Sequence, residues 1–159
     1  MINMKNERDA KLMDMFDNIQ TTMIGKYLSY QVQKEMIVDI AAQLKEDGFN
    51  HLSDVTIVDY IEEEEFEVIY HLWSHDRNER VMIKTRIPRE KAIIQTLVPL
   101  WTSAHMHERE CHEMFGVVFD GHTELTPLLL EDWEGIPPPR KDFDSRQYVL
   151  DTFYGGERE

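Results

Sequence analysis

Two rhythms of apolar and polar positions run along this chain. Leu12, Met13, Met15, Phe16, Ile19 and Met23 recur at loosely helical spacing among charges, which predicts an amphipathic helix over residues 7–24 ended by Gly25. Methionine fills irregular apolar surfaces, so this helix either packs on its own domain or grips a partner groove. Tyr27 to Val32 alternates as a first strand. Met36, Ile37, Ile40, Ala41 and Leu44 mark one face of a helix from Lys34 to Asp47, stopped by Gly48. Val55 to Tyr60, Phe66 to Trp73 and Val81 to Ile87 are rich in β-branched and aromatic residues and joined by short polar connections, the spacing of an antiparallel meander. Glu62 to Glu65 forms a charged tip at the first turn, and Ser74 to Arg80 a second polar turn. Pro88 then opens a helix through Arg89, Glu90, Ile93, Ile94 and Leu97, which Pro99 ends.

The densest patterning lies between His107 and Phe143. A helix starting near Ser103 carries Ala104, Cys111, Met114 and Phe115 on roughly one face, leaving Glu108, Arg109, Glu110, His112 and Glu113 to the other, with Arg109 one turn from Glu113. Gly116 supplies the left-handed residue that ends it. Val117, Val118 and Phe119 are β-prone, and Asp120-Gly121 turns the chain. From Ile136 the character changes: Pro137, Pro138 and Pro139 favour an extended polyproline conformation, followed by Arg140, Lys141, Asp142 and Phe143. Two adjacent cations on a stiff limb suit an acidic partner surface. Residues 147–159 read equally well as a disordered end. The whole describes an α+β fold: a small antiparallel or mixed sheet flanked by helices, with an extended C-terminal arm.

Composition narrows the picture. A chain of 159 residues is one domain, or one domain with a tail. The expected division is an N-terminal helix over 1–25, an α+β domain over 26–122 and a partner-binding arm over 123–159. With 17 basic against 31 acidic residues the formal charge is -14, which repels phosphate backbones and anionic lipid and argues against nucleic acid as a partner. Cys111 is the single cysteine, so one chain forms no internal disulfide and no four-thiolate cluster site. Neither a basic-then-apolar leader nor a run approaching the roughly 18 to 20 apolar residues of a membrane span is present, so the expectation is a cytoplasmic chain.

Candidate chemistry is sparse. His105, His107, Cys111, His112 and His122 invite a metal reading, and the HEREC string resembles a zinc-peptidase helix with its second histidine replaced by cysteine. His105 and His112 fall on other faces, however, and no third ligand is placed. No phosphate-cradling glycine loop or nucleophile elbow appears, and Glu108 with Glu110 makes no acid–base pair without a pocket.

The residues ERECHEMFGVVFDGH, followed by DWEGIPPPRKDF, resemble the signature of the C subunit of complex I, the respiratory NADH–quinone oxidoreductase, and of its relatives in deazaflavin- or ferredoxin-linked dehydrogenases and energy-converting membrane hydrogenases. Glu108, Arg109, Glu110, Glu113, Met114, Phe115, Gly116 and His122 meet the first part of that pattern; Arg140, Lys141, Asp142 and Phe143 meet the second. LSDVTIVDY from Leu52, YHLWS from Tyr70 and IPREKAIIQTLVPLW from Ile87 follow the family in order and spacing. The resemblance implies a non-catalytic structural subunit, without a cofactor of its own. Iron–sulfur clusters and flavin would sit in partner subunits, and the arm would wrap a D-type, hydrogenase-large-subunit-like partner with a cluster-carrying B-type subunit nearby. The chain would then be peripheral to the cytoplasmic membrane, near a quinone-type acceptor site. Met106-His107 replaces an aromatic pair of common members and Thr126-Pro127 a basic pair, departures that favour reduced deazaflavin or ferredoxin over NADH as donor. The alternatives are a subunit of an energy-converting membrane-bound hydrogenase, or a small metal-dependent enzyme built on His107 and Cys111.

Overall fold

The computed structural model describes residues 2–16, 18–130 and 133–155. In chain order the elements are α1 (Ile2–Met15), β1 (Gln20–Ile24), β2 (Tyr27–Val32), a single tight turn of helix (Lys34–Met36) leading into α2 (Ile37–Glu46), β3 (His51–Tyr60), β4 (Glu65–Ser74), β5 (Glu79–Pro88), β6 (Ile93–Gln95), α3 (Ala104–Phe115), β7 (Val118–Asp120) and α4 (Ser145–Tyr154). The mixed sheet has the order β1-β2-β5-β4-β3, with only the central β2/β5 pair parallel. A second, two-stranded parallel sheet joins β6 to β7. The expected α+β architecture and its meander of three strands are present.

The strands alternate because one face meets the helices. Leu28, Tyr30 and Val32, then Val81, Ile83 and Ile87, then Phe66, Val68, Tyr70 and Leu72 are buried, and one apolar cluster joins them to Ile37, Ile40, Ala41 and Leu44 of α2 and to Ala104 and Cys111 of α3. The intervening positions on the other face carry cross-strand ion pairs, Lys84 with Glu67 at 3.0 Å and Arg86 with Glu65 at 3.0 Å.

Two expectations are corrected. The helix predicted over 7–24 ends at Met15, and Gln20–Ile24 is an antiparallel strand paired to Tyr27–Val32. Asn18 takes a positive φ of 61° and Gly25 one of 61°, so the chain leaves the helix and makes a hairpin turn where periodicity alone continued the helix. The N-terminal helix is docked: Leu12 is fully buried and Arg8 is 4% exposed. The helix expected after Pro88 is absent as well. Pro88 ends β5, and Ile93, Ile94 and Gln95 pair with Val118, Phe119 and Asp120, a partner about 25 residues away in sequence that local spacing does not show. Helix α4 runs from Ser145 to Tyr154 and so takes in residues 147–154 of the stretch that read equally well as disordered, capped by the Asp144 carboxylate on the Arg146 and Gln147 amides at 3.0 and 2.9 Å. Residues 156–159, the end of the expected arm, lie outside the described residues, as do Glu131 and Asp132 within it.

Candidate functional site: a helix that shapes the C-terminal arm

Helix α3 starts after Ser103 and ends where Gly116, at φ 78°, donates its amide to the His112 carbonyl. Its buried positions are Ala104, Glu108 and Cys111. Glu108 therefore belongs to the inner stripe, correcting its expected place on the solvated face. The spacing held the signal: 104, 108, 111 and 115 stand at the i, i+4, i+7, i+11 positions of one helical stripe, and the carboxylate fills the second of them. Fully buried, Glu108 accepts from Thr96 Oγ1 at 2.5 Å and from the Leu97 amide at 2.8 Å. Burial pushes its pKa up to about 7, against the lowering effect of these two hydrogen bonds. The buried Tyr70 hydroxyl, whose own pKa burial raises, lies within reach of its charge.

Arg109 and Glu113 do not spend their charges on each other as the helical spacing suggested. Arg109 donates from Nε and Nη2 to the Thr126 carbonyl at 3.2 Å, to Thr126 Oγ1 at 3.0 Å and to the Pro127 carbonyl at 3.0 Å. Glu113 accepts from the next three amides, Leu128 at 3.1 Å, Leu129 at 2.8 Å and Leu130 at 2.7 Å. One side chain takes the carbonyls and the other the amides of a single continuous segment, so consecutive turns of α3 fix the path of residues 126–130. Desolvation works against the Glu113 carboxylate, but the three amides and the nearby Arg109 charge outweigh it and hold its pKa below the ordinary value.

The histidines are used structurally. His112 Nδ1 lies 2.8 Å from the Val117 carbonyl, so that nitrogen carries the proton and ties the helix end to the chain after Gly116. His122 accepts the Glu124 amide on Nδ1 at 3.1 Å and reaches the His105 carbonyl from Nε2 at 3.2 Å. Partial burial lowers its pKa, consistent with the neutral ring that this pairing requires. The His107 ring lies 3.5 Å from Asp54, while Cys111 donates its buried thiol to the Val55 carbonyl at 3.3 Å. Burial raises the Cys111 pKa and keeps it a thiol. Among the described residues no group of three or more histidine, cysteine or carboxylate side chains gathers to hold a metal. Glu110 is exposed beside this row.

The arm returns to the domain at the far end of β3 to β5. Two tight turns, Arg140 amide to Pro137 carbonyl and Phe143 amide to Arg140 carbonyl, both 3.1 Å, fold Pro137 to Phe143 back on itself. Arg140 grips Asp142 with two hydrogen bonds at 2.9 and 2.7 Å, and Asp142 also meets Arg89 at 3.0 Å. Arg89 in turn pairs with the buried Asp59 at 2.8 Å, and Asp59 accepts the Lys141 amide at 2.9 Å. The Arg140 contact, with further help from Arg89, holds the Asp142 pKa below its ordinary value despite partial burial. Both arginines stand over the Phe66 ring, at 5.2 and 5.6 Å. Phe143 joins Trp133 and Tyr148 in a three-ring cluster with centroids 5.0 to 5.9 Å apart. Of the two adjacent cations, Arg140 is thus engaged within the chain, whereas Lys141 contributes its backbone and leaves its side chain exposed. Asp59 and Arg89 were missed as site residues; both stand in the stretches from Leu52 and Ile87 that follow the family pattern, which was the available signal.

Arg109, Glu113, His112 and His122 hold backbone, whereas Arg89, Arg140, Asp59 and Asp142 pair with one another. Comparison with known proteins places this fold in a family. Residues 30–149 match the family model described as "Respiratory-chain NADH dehydrogenase, 30 Kd subunit". The C subunit of the NADH-quinone oxidoreductase of Roseiflexus sp. is 42% identical over 120 residues, covering 72% of this chain and 68% of that one. The C subunit of the F(420)H(2) dehydrogenase of Methanosarcina mazei is 37% identical over 122 residues, covering 76% and 75%. A protein in the structure of the membrane-bound sulfane sulfur reductase, an archaeal respiratory membrane complex, superposes with a TM-score of 0.85 at 31% identity over 98% of this chain and 94% of that one.

The fold and the arm-shaping helix thus define a subunit of complex I-like oxidoreductase assemblies. Within that class the chain belongs to the family of the 30 Kd, or C, subunit of respiratory-chain NADH dehydrogenase. No helix among the described residues is long and apolar enough to cross a membrane.

Proposed function

We propose that the chain is a non-catalytic scaffold subunit of the hydrophilic arm of an ion-translocating, complex I-like oxidoreductase. In this reading it holds a D-type, hydrogenase-large-subunit-like subunit near a quinone-type acceptor site, beside a cluster-carrying B-type subunit, on the cytoplasmic side of the membrane. The observation that carries the proposal is the α3 clamp. Arg109 and Glu113, with the Asp59–Arg89–Asp142–Arg140 network, spend their hydrogen bonds and ion pairs on giving the arm one path, and that path leaves Lys141, Leu129, Ile136 and Phe153 facing outward. Pre-ordering an arm lowers the entropy lost when a partner covers it. In the assembly, Glu108, Arg109, Glu113, Gly116 and His122 act as the frame, while Arg140, Lys141, Asp142 and Phe143 set the arm and, with exposed Glu110, border the partner.

Reduced deazaflavin or ferredoxin is the proposed donor, from the departures at Met106-His107 and Thr126-Pro127; the 37% likeness to the F(420)H(2) dehydrogenase subunit stands beside the 42% likeness to an NADH-quinone oxidoreductase subunit. A second reading, a sulfur-reducing respiratory membrane complex, is favoured by the coverage of 98% of this chain in the structural match, which extends past the curated alignments. Affinity capture of the tagged chain from mild-detergent membrane extracts, with co-purifying subunits identified by mass spectrometry, tests both. Recovery of D-type and B-type subunits with membrane subunits is the expected result, and their accompanying donor module separates the two readings. A chain recovered alone would end the scaffold proposal.

A further inference from the structure

Along the outer face of the sheet, the cations in the middle rows each have a carboxylate: Lys84 has Glu67, and Arg86 has Glu65 with Glu67 3.6 Å away. At the end of the sheet the pattern stops. The register sets Arg80 opposite Trp73 on β4, and one step before the Leu28–Val81 pair it sets Tyr27 on the other side. The Arg80 guanidinium stands 5.2 Å from the Tyr27 ring centroid and 5.9 Å from that of Trp73, and Lys26 Nζ stands 5.4 Å from the Tyr27 ring. Arg80 Nε is buried without a hydrogen-bond partner, and neither Arg80 nor Lys26 has an ion pair among the described residues.

These side chains, with Asn78 and Glu79, line one cleft. Glu79 is the acid within it, and both its carboxylate oxygens are turned to Arg8, at 3.0 and 3.2 Å. Trp73 Nε1 is likewise occupied, donating to His75 Nδ1 at 3.2 Å. Half-buried Arg80 therefore stands between two aromatic rings with exposed Lys26 beside the Tyr27 ring, in a chain whose formal charge is -14. A guanidinium flanked by rings is weakly hydrated and already oriented, which lowers the cost of bringing a carboxylate onto it. Next to the cleft, Ile24 at the end of edge strand β1 pairs with Tyr27, shares its face and is 44% exposed, an apolar continuation of the same surface.

We propose that this cleft receives an acidic segment of a neighbouring protein, with an Asp or Glu carboxylate against Arg80 and Lys26 and an adjacent apolar side chain against Tyr27 or Trp73. The charge complementarity selects an acidic occupant, and the rings with Ile24 select a polypeptide over a free anion. The surface lies at the opposite end of β5 from the arm, roughly 30 Å away at about 3.3 Å per strand residue. It goes beyond the scaffold reading by giving the chain a second, separate contact.

The test uses the assembled complex from membranes and a zero-length carbodiimide cross-linker, which joins an ammonium directly to a carboxylate with loss of water. The expected product is an amide between Lys26 Nζ and an Asp or Glu of another subunit. Arg80→Glu should also release the chain from the complex in a high-salt wash, at roughly ten times the rate of the unaltered chain, the size of one lost charge-assisted contact. Arg80→Met, which keeps an apolar stem between the rings, should show the same release with an unchanged circular dichroism spectrum, so that misfolding is not the cause. Absence of any Lys26 cross-link to another subunit, while cross-links from the arm form, overturns this proposal alone; so does unchanged salt release of both variants. Absence of cross-links to any neighbouring protein, anywhere on the chain, overturns both this proposal and the scaffold reading.

Discussion

At one end of the β4–β5 hairpin the chain holds its N-terminal helix, and at the other its C-terminal arm, each through arginine and carboxylate. Arg8 is 4% exposed, donates to the Tyr30 hydroxyl at 2.9 Å, forks onto both oxygens of Glu79 and lies against the Phe49 ring at 5.1 Å, with Leu12 of the same helix fully buried one turn on. The arm is held by Arg89 and Arg140 around Asp59 and Asp142, with side chains 14% to 28% exposed except Asp59, and the helix that follows buries no residue. The first contact is a clamp backed by apolar packing; the second is a polar latch of partly exposed side chains. The difference teaches that α1 is part of the folded domain, whereas the arm has its shape fixed by polar contacts and leaves apolar side chains such as Leu129, Ile136 and Phe153 exposed.

The largest test strikes the buried clamp. Arg8→Ala is expected to cost about 3 kcal/mol, because it strips Tyr30 and Glu79 of a buried charged partner; urea unfolding of the full chain measures it. A loss no larger than that at the arm would erase the contrast. Next comes Glu108, which lies between the two ends. Its folded-state pKa, about 7, stands above the ordinary 4.5, so the folded chain binds its proton more tightly than the unfolded chain. The stability tied to this group is full in acid and is lost as pH rises from about 4.5 to about 7. Glu108→Gln should remove that slope, and the difference between variant and parent should change by roughly 2 to 3 kcal/mol across the window. A constant difference across the same window would show that the carboxyl titrates normally.

Arg89→Ala should have a smaller effect on global stability, about 1 to 2 kcal/mol, but a large local one. Limited proteolysis is expected to cut within residues 133–145 faster, with β3 to β5 still protected. If cutting stays slow, the latch does not depend on Arg89. Smallest is Asp144→Ala, which removes the cap of α4 and should cost about 1 kcal/mol confined to that helix. Hydrogen exchange should quicken at Arg146 to Tyr148 and nowhere in the sheet. A change in global unfolding would mean that α4 is coupled to the core, against its lack of buried residues.

Much of the site was legible where spacing is local. The α3 limits, the Gly116 stop, the strand meander and the family pattern through Arg140 to Phe143 follow from neighbours within a few turns. What Arg109 and Glu113 bind was not, since two side chains a turn apart invite pairing with each other and only the path of residues 126–130 offers them better partners. Arg8, Asp59 and Arg89 escaped for the same reason: Arg8 meets Glu79 across 71 residues and Asp59 meets the Lys141 amide across 82, and an ion pair at such separation leaves no period to read. Sequence by itself determined which segments alternate at two or at three to four residues, where glycine lets the chain turn, and that a single cysteine supplies no four-thiolate site from this chain alone. Tertiary structure decided the two segments whose strand partners lie elsewhere, Gln20–Ile24 and Ile93–Gln95, and the burial of Glu108. Periodicity records which face a side chain takes, whereas backbone pairing and desolvation depend on what the rest of the fold brings against that face.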